Sequence, residues 1–294
     1  MVTGMAAALA AAFVWTLATR LFHGAGQDMP PLEMNAAKGL TALLLFSLVV
    51  AGGSGPGAFS LPGSEGALLL LSGAVGIGLG DTAYFRALQQ LGTRRVLLLE
   101  LLAAPFAALV GWFFLDEGMA WAAMTGLGLT LAGVALAVLS FPTQPGRGSS
   151  GRSVLWGVAA ALCQGLGIVM ARHAFTRTPL DASQAAWWRL VGGELLLVLI
   201  LLWRRQPLAV TTYAGRGGLP KVLAAAVLGT FLGIWLQQAA ISQLQAGVAQ
   251  TLLATAPLFA MGLAALTGRR LGLPAVAGAL LALMGVALLA SQSG

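Results

Sequence analysis

Charge is scarce in this chain. Asp, Glu, Lys and Arg make up 9% of its 294 residues, where an average soluble domain carries about 25%. With 58% of the residues hydrophobic, a soluble fold of this size has too little polar surface to cover itself, whereas a bilayer accepts an apolar exterior. Cysteine is nearly absent. Cys163 stands alone, so no disulfide can form within the chain and the redox compartment is not encoded. Histidine is limited to His23 and His173, far apart and without clustered acids, which excludes a metal-ligand set; no cofactor is expected. No phosphate-cradling P-loop motif occurs, so ATP-driven pumping by this chain is excluded. Acids are fewer than bases, which gives a net charge of +7 and a pI near 11.0. The Lys and Arg residues stand singly or in pairs between apolar runs, with no basic face, so they read as juxtamembrane charges and not as a nucleic-acid surface.

What is abundant is apolar sequence in lengths that suit a membrane. A helix needs about 20 apolar residues to cross the hydrocarbon, and ten such segments are predicted: 3–22, 32–51, 66–90, 94–114, 119–140, 153–175, 182–203, 219–243, 247–267 and 272–291. Pro and Gly clusters separate them, as at Met29-Pro30-Pro31 and Gly55-Pro56-Gly57. The N-terminal segment lacks a basic leader and is expected to be a retained first helix. The stretch 141–152 (FPTQPGRGSSGR) is rich in Pro, Gly and Ser and reads as a linker between a first five-helix repeat (1–140) and a second (153–294).

A shift of 152 residues aligns the two halves. It carries Pro105 onto Pro257, Gly126 onto Gly278 and the run Gly133–Leu136 onto Gly285–Leu288. Matched Pro and Gly residues are informative because they fix backbone behaviour. Five helices is an odd number, so the second half enters the membrane from the opposite side. The expected fold is therefore an all-α integral membrane protein of ten transmembrane helices, arranged as two inverted five-helix repeats. Such repeats place a binding site near the midplane between them.

These stretches carry a resemblance. Leu102-Ala103-Ala104-Pro105-Phe106, Leu115-Asp116-Glu117 and Leu131–Leu136, their second copies Ala256-Pro257-Leu258-Phe259 and Leu283–Val286, and the third-helix ending Tyr84-Phe85-Arg86-Ala87-Leu88 are together similar to the drug/metabolite transporter superfamily. The resemblance is to its ten-helix EamA-type branch. It implies a carrier that exports amino acids or other metabolites through a cavity lined by segments one, three, four, six, eight and nine. It departs from the family pattern where Gly268-Arg269 replaces the second Gly-Glu pair.

Ionisable and polar groups inside a bilayer are costly, so each is a functional candidate. Asp81, Glu100 and Glu194 lie within segments three, four and seven, where they could hold substrate, hold a proton, or form internal ion pairs. Trp15, Thr16, Gln164, Trp235 and Gln238 offer aromatic and polar groups of the kind that lines a cavity for an organic solute. Thr251 and Thr255, four apart, share a helix face. With Tyr84 from the family-like pattern, Trp15, Thr16, Asp81, Glu100, Gln164, Trp235, Gln238, Thr251 and Thr255 form the expected substrate-binding set. Pro105 and Pro257 remove helical hydrogen bonds and are the expected hinges. The Gly126/Gly133 and Gly278/Gly285 faces read as packing surfaces.

The function that follows is a secondary transporter, exporting a small organic metabolite such as an amino acid by alternating access. A channel or a drug-efflux carrier is the alternative, with a membrane-embedded enzyme further off because no catalytic constellation is present. The expected partners are a small-molecule substrate, the lipid bilayer and protons, with the chain acting as a monomer or a homodimer. The setting is multi-pass, in a cell inner membrane or plasma membrane. Arg20, Lys38, Arg94, Arg95, Arg147, Arg152, Arg204, Arg205, Arg216, Lys221, Arg269 and Arg270 flank the odd-numbered connections, against Arg172, Arg177 and Arg189 at the even ones. Cytoplasmic loops attract Lys and Arg, so this bias predicts external termini, although the family is usually drawn with both termini inside.

Overall fold

The computed structural model describes residues 2–25, 29–53, 59–60, 63–114, 121–140, 151–175, 177–178, 180–205, 218–243, 252–268 and 272–291. Residues 141–150 of the linker and Thr251 lie outside the described residues, and the last two linker residues, Gly151 and Arg152, already belong to a helix. Among the described residues every regular element is helical.

Ten helical segments follow one another: α1 (Val2–Ala25), α2 (Pro31–Gly53), α3 (residues 63–91), α4 (residues 93–114), α5 (Trp121–Leu139), α6 (Gly151–Phe175), α7 (Ala182–Trp203), α8 (residues 218–243), α9 (Ala256–Leu266, with a turn before it) and α10 (Leu273–Ser291). α1, α2, α3, α6, α7 and α8 are each long and apolar enough to cross a membrane. The local reasons are those of helix termini. Pro31 opens α2, where its missing N–H costs nothing. Asp181 caps α7 by accepting from Ser183 N (2.7 Å) and Gln184 N (2.9 Å), and Gln184 Oε1 accepts the Asp181 N–H (3.0 Å) in return. Such a reciprocal box satisfies donors that the helix cannot. Between α3 and α4 the chain reverses at Gly92, whose φ of 79° is open to glycine at little cost.

Two devices repeat between the halves, the first at the interval found in the sequence and the second one residue off it. α3 contains a wide π turn at Ala74–Gly80, and α8 contains one at Ala226–Leu232. A displacement of 152 residues superposes them. α4 is broken at Leu101–Leu102, and α9 at Ala254–Thr255. Each break lies just before its proline, so Pro105 and Pro257 sit in the first turn of a new helix and not in the middle of a kinked one. The repeat is thus built into the backbone as well as the sequence, with two inverted halves of five helices each.

Burial is the reverse of a soluble protein's. Leu48 is 72% exposed and Leu44 68%, while Lys38, Asp81, Arg189 and Glu194 are all at most 6% exposed. An apolar exterior around a charged interior is what lipid requires. Close helix approaches use glycine. A methyl group on Gly73 would run into the Arg189 backbone, and one on Gly192 into Leu70. α5 and α10 pair along their glycine faces, where a methyl on Gly133 would meet Ala282 and Gly278 O, and one on Gly285 would meet Gly126 and Thr130. These glycines serve packing within one chain, as small residues do in membranes.

Candidate functional site

The π turn in α3 sets the site. Wide turns interrupt the regular hydrogen-bond ladder and recur at functional positions. The Asn35 side chain, projecting from α2, donates to Ile77 O (2.7 Å) and Gly78 O (3.1 Å) and so satisfies carbonyls of that turn. Asp81 follows it immediately. Its Oδ2 is paired with the Lys38 ammonium from α2, and its Oδ1 accepts from Gln164 Nε2 of α6 at 2.8 Å. One carboxylate thus joins three helices from both halves. Asp81 pairs across helices and not with Arg86, whose guanidinium lies over the Trp156 ring 4.7 Å from its centroid.

Further polar groups surround this pair. Tyr84 Oη lies 2.7 Å from Thr19 Oγ1, tying α3 to α1. Arg189 is buried, and its Nε donates to Ser72 Oγ (3.1 Å), which donates in turn to Gly167 O (2.7 Å). Glu194 is buried against Gly39, and neither of its carboxyl oxygens has a hydrogen-bond partner among the described residues.

Two cavities meet here. The larger, about 720 Å³, is bordered by Ala11, Ala12 and Trp15 of α1, by Leu97, Glu100, Leu101, Ala103 and Ala104 of α4, and by Gln164 and Ile168 of α6. Gly233 and Gln237 of α8 and Leu253, Ala254, Ala256 and Pro257 around the α9 break complete it. Both broken helices therefore present their interruptions to the cavity, which is where unwound backbone is tolerated in a membrane. The smaller cavity, about 350 Å³, is bordered by Trp15, Thr19, Lys38, Asp81, Tyr84, Thr230 and Ile234 among others. Trp15 borders both. Asp81 borders the smaller and is hydrogen bonded to Gln164 in the wall of the larger.

The structure gathers Trp15, Asp81, Tyr84, Glu100 and Gln164 around these two spaces and sets Pro257 in the wall of the larger. Pro105 is buried in the first turn beyond the α4 break. Thr16 is fully buried, with its hydroxyl 2.9 Å from Ala12 O and 3.0 Å from Ala256 O, so it clamps α1 to the start of α9. Thr255 turns its hydroxyl to Leu252 O at 2.6 Å. Gln238 is buried but borders neither cavity, whereas its neighbour Gln237 borders the larger. Trp235 is 42% exposed and also borders neither. It faces outward because on a helix it lies about 200° from Gln237. Sequence reasoning counted Lys38 only among the charges that flank a connection and left Asn35 and Thr19 unread. A lysine in the middle of an apolar helix was the available signal, since it demands a buried acid.

The model of the EamA-like transporter family matches residues 2–139 and again residues 151–291. No curated protein matches the sequence. A crystal structure described only as that of a protein superposes with a TM-score of 0.67 over 98% of this chain and 96% of that one, at 17% identity. A likeness at that identity speaks for the fold alone.

Proposed function

This chain belongs to the EamA-like transporter family, and from that premise we propose that it is a secondary carrier exporting a small organic metabolite, such as an amino acid, by alternating access. The family's members are transporters, and the chain is a multi-pass membrane protein. The setting we propose is a cell inner membrane or plasma membrane, with external termini.

The observation that carries the reading is the larger cavity between the two halves, about 720 Å³. Its wall is largely apolar with a few polar groups, as the wall of a small-molecule site is. Both proline breaks stand in its wall. Rocking of one half against the other would turn the cavity from one face of the membrane to the other. The breaks in α4 and α9 give each half a place to bend without losing hydrogen bonds already absent. Coupling runs through Asp81. A proton placed on its carboxyl would release Lys38, the cation that holds α2 to α3, and so links protonation to helix packing. Trp15 borders both cavities, so a solute in either would meet the same ring.

The test is flux in proteoliposomes. Labelled amino acids and related amines should show saturable counterflow, and an imposed pH gradient should drive net movement. The double variant Lys38→Met/Asp81→Asn should keep counterflow and lose the response to the gradient. Absence of saturable flux for every solute, from protein that is folded and inserted, would reject the carrier reading.

A further inference from the structure

We propose that the larger cavity receives its solute by a protonated amine, with Glu100 as the counter-charge. The proposal rests on the carrier reading above and narrows it to solutes with an ammonium group and an apolar body.

Two carboxylates reach this region in different states. Asp81 is satisfied on both oxygens, by Lys38 and by Gln164. Glu100 borders the cavity, yet its Oε1 is buried with no hydrogen-bond partner. A buried acceptor left empty is costly, and native structures rarely keep one without a reason. No donor among the described residues reaches it. Gln164 gives an amide N–H to Asp81, the Gln237 amide and the Trp15 indole in the wall leave Glu100 Oε1 unbonded, and no Lys, Arg or His is among the described residues that border the cavity. A solute can supply it.

The neighbouring groups favour one charge. Leu101 follows Glu100 in the wall, and its carbonyl lacks the usual donor four residues on because that residue is Pro105, which has no N–H. Carboxylate and carbonyl are both acceptors, and an ammonium carries three donors to offer them. The Trp15 indole shares the wall, and an aromatic face attracts cations. Leu97, Ile168 and Leu253 leave an apolar space for the rest of the solute. An anion would meet an uncompensated carboxylate and no cation. An amino acid would seat its amine and leave its own carboxylate unpaired, so a simple amine should bind more tightly than the matching amino acid.

The experiment measures ligand-induced thermal shift of the purified protein in lipid nanodiscs, since a ligand that binds the folded state raises the melting temperature. Four matched probes are 2-phenylethylamine, phenylalanine, 2-phenylethanol and 3-phenylpropanoate. The amine should give the largest shift and phenylalanine a smaller one, with the alcohol and the acid giving none. Glu100→Gln should weaken the amine at least tenfold with the unliganded melting temperature nearly unchanged, and Glu100→Asp should retain part of the affinity. If Glu100→Gln does not fold, the ranking of the four probes on the unaltered protein decides. The proposal is overturned if the acid or the alcohol shifts the protein as strongly as the amine, if Glu100→Gln binds the amine as before, or if no probe shifts a protein that melts cooperatively. Amine binding without any flux in proteoliposomes would sink the carrier reading and leave this site standing. Flux of neutral or anionic solutes without amine binding would do the reverse.

Discussion

α3 and α8 share one backbone and differ in chemistry. Each crosses the membrane with a π turn at the same place in its repeat, Ala74–Gly80 in one and Ala226–Leu232 in the other. In α3 the turn is followed by Asp81; in α8 the matching residue is Gly233. Lys38 has its counterpart, after a one-residue slip, in Arg189, which is also buried but donates to Ser72 Oγ; Leu190 beside it is fully buried in an apolar cluster with Phe46, Ile77 and Ile234. Glu100 maps onto Leu252, Gln164 onto Ala12, and Tyr84 onto Leu236. Duplication therefore preserved the shape of the scaffold while the polar groups did not stay paired by it. The polar network is concentrated on the α3 side of the interface and draws Gln164 and Arg189 from the second half. A symmetric backbone suits a rocking motion between two equivalent states, while an asymmetric set of polar groups gives the solute one place to sit.

The sharpest way to break this comparison is to remove one member of the α3 pair. Lys38→Met or Asp81→Asn alone leaves a charged or polar partner buried without its counterpart and should cost about 3–5 kcal/mol. The double variant should regain more than half of that loss, because an apolar or neutral pair of similar volume is often tolerated. Denaturation in nanodiscs reads all three. A double variant no more stable than the worse single one would show that the pair does not hold α2 to α3.

A smaller effect should come from writing the α3 chemistry into α8. Gly233→Asp places an unpaired acid in the membrane interior, in the wall of the larger cavity beside Trp15, and should cost about 2.5–3.5 kcal/mol. Adding Leu190→Lys, in the cluster that holds Ile234, supplies a nearby cation and should recover part of it. If Gly233→Asp is neutral by itself, the two helices are not as different as the polar contacts imply.

The smallest effects should separate the inner and outer faces of the two helices. Tyr84→Phe removes the hydrogen bond to Thr19 and should cost about 1 kcal/mol. Trp235→Leu changes a ring that is 42% exposed, at the position matching buried Ala83 of α3, and should stay within about 0.5 kcal/mol. Equal losses for both substitutions in a melting series would contradict the facing assigned to α8.

Much of the fold was legible in the chain. Ten apolar runs of bilayer length, the 152-residue repeat and the paired prolines all rest on local composition and spacing, and the helices follow them closely. The site was legible in part. Asp81, Glu100, Gln164 and Trp15 stood out because polar and aromatic groups in an apolar run are few. Their partners did not, because the pairing of Lys38 with Asp81 crosses 43 positions and no local period records it. Trp235 and Gln237 show the limit at closer range: both lie in the same run, and only the rotation of α8 against α1 sends the first outward and the second to the cavity.

The sequence by itself determined that this protein lives in a membrane, that it is helical, and that it is two copies of one five-helix unit. Each of these follows from the cost of placing apolar surface in water or unpaired backbone in lipid, and that cost is counted residue by residue. The tertiary structure decided which buried charges meet, which acids are left with empty oxygens, and where the two proline breaks converge. Those outcomes depend on how helices distant in the chain are rotated and brought together, and close packing at glycine faces such as Gly73 against Arg189 and Gly133 against Gly278 fixes that arrangement only once all the helices are in place.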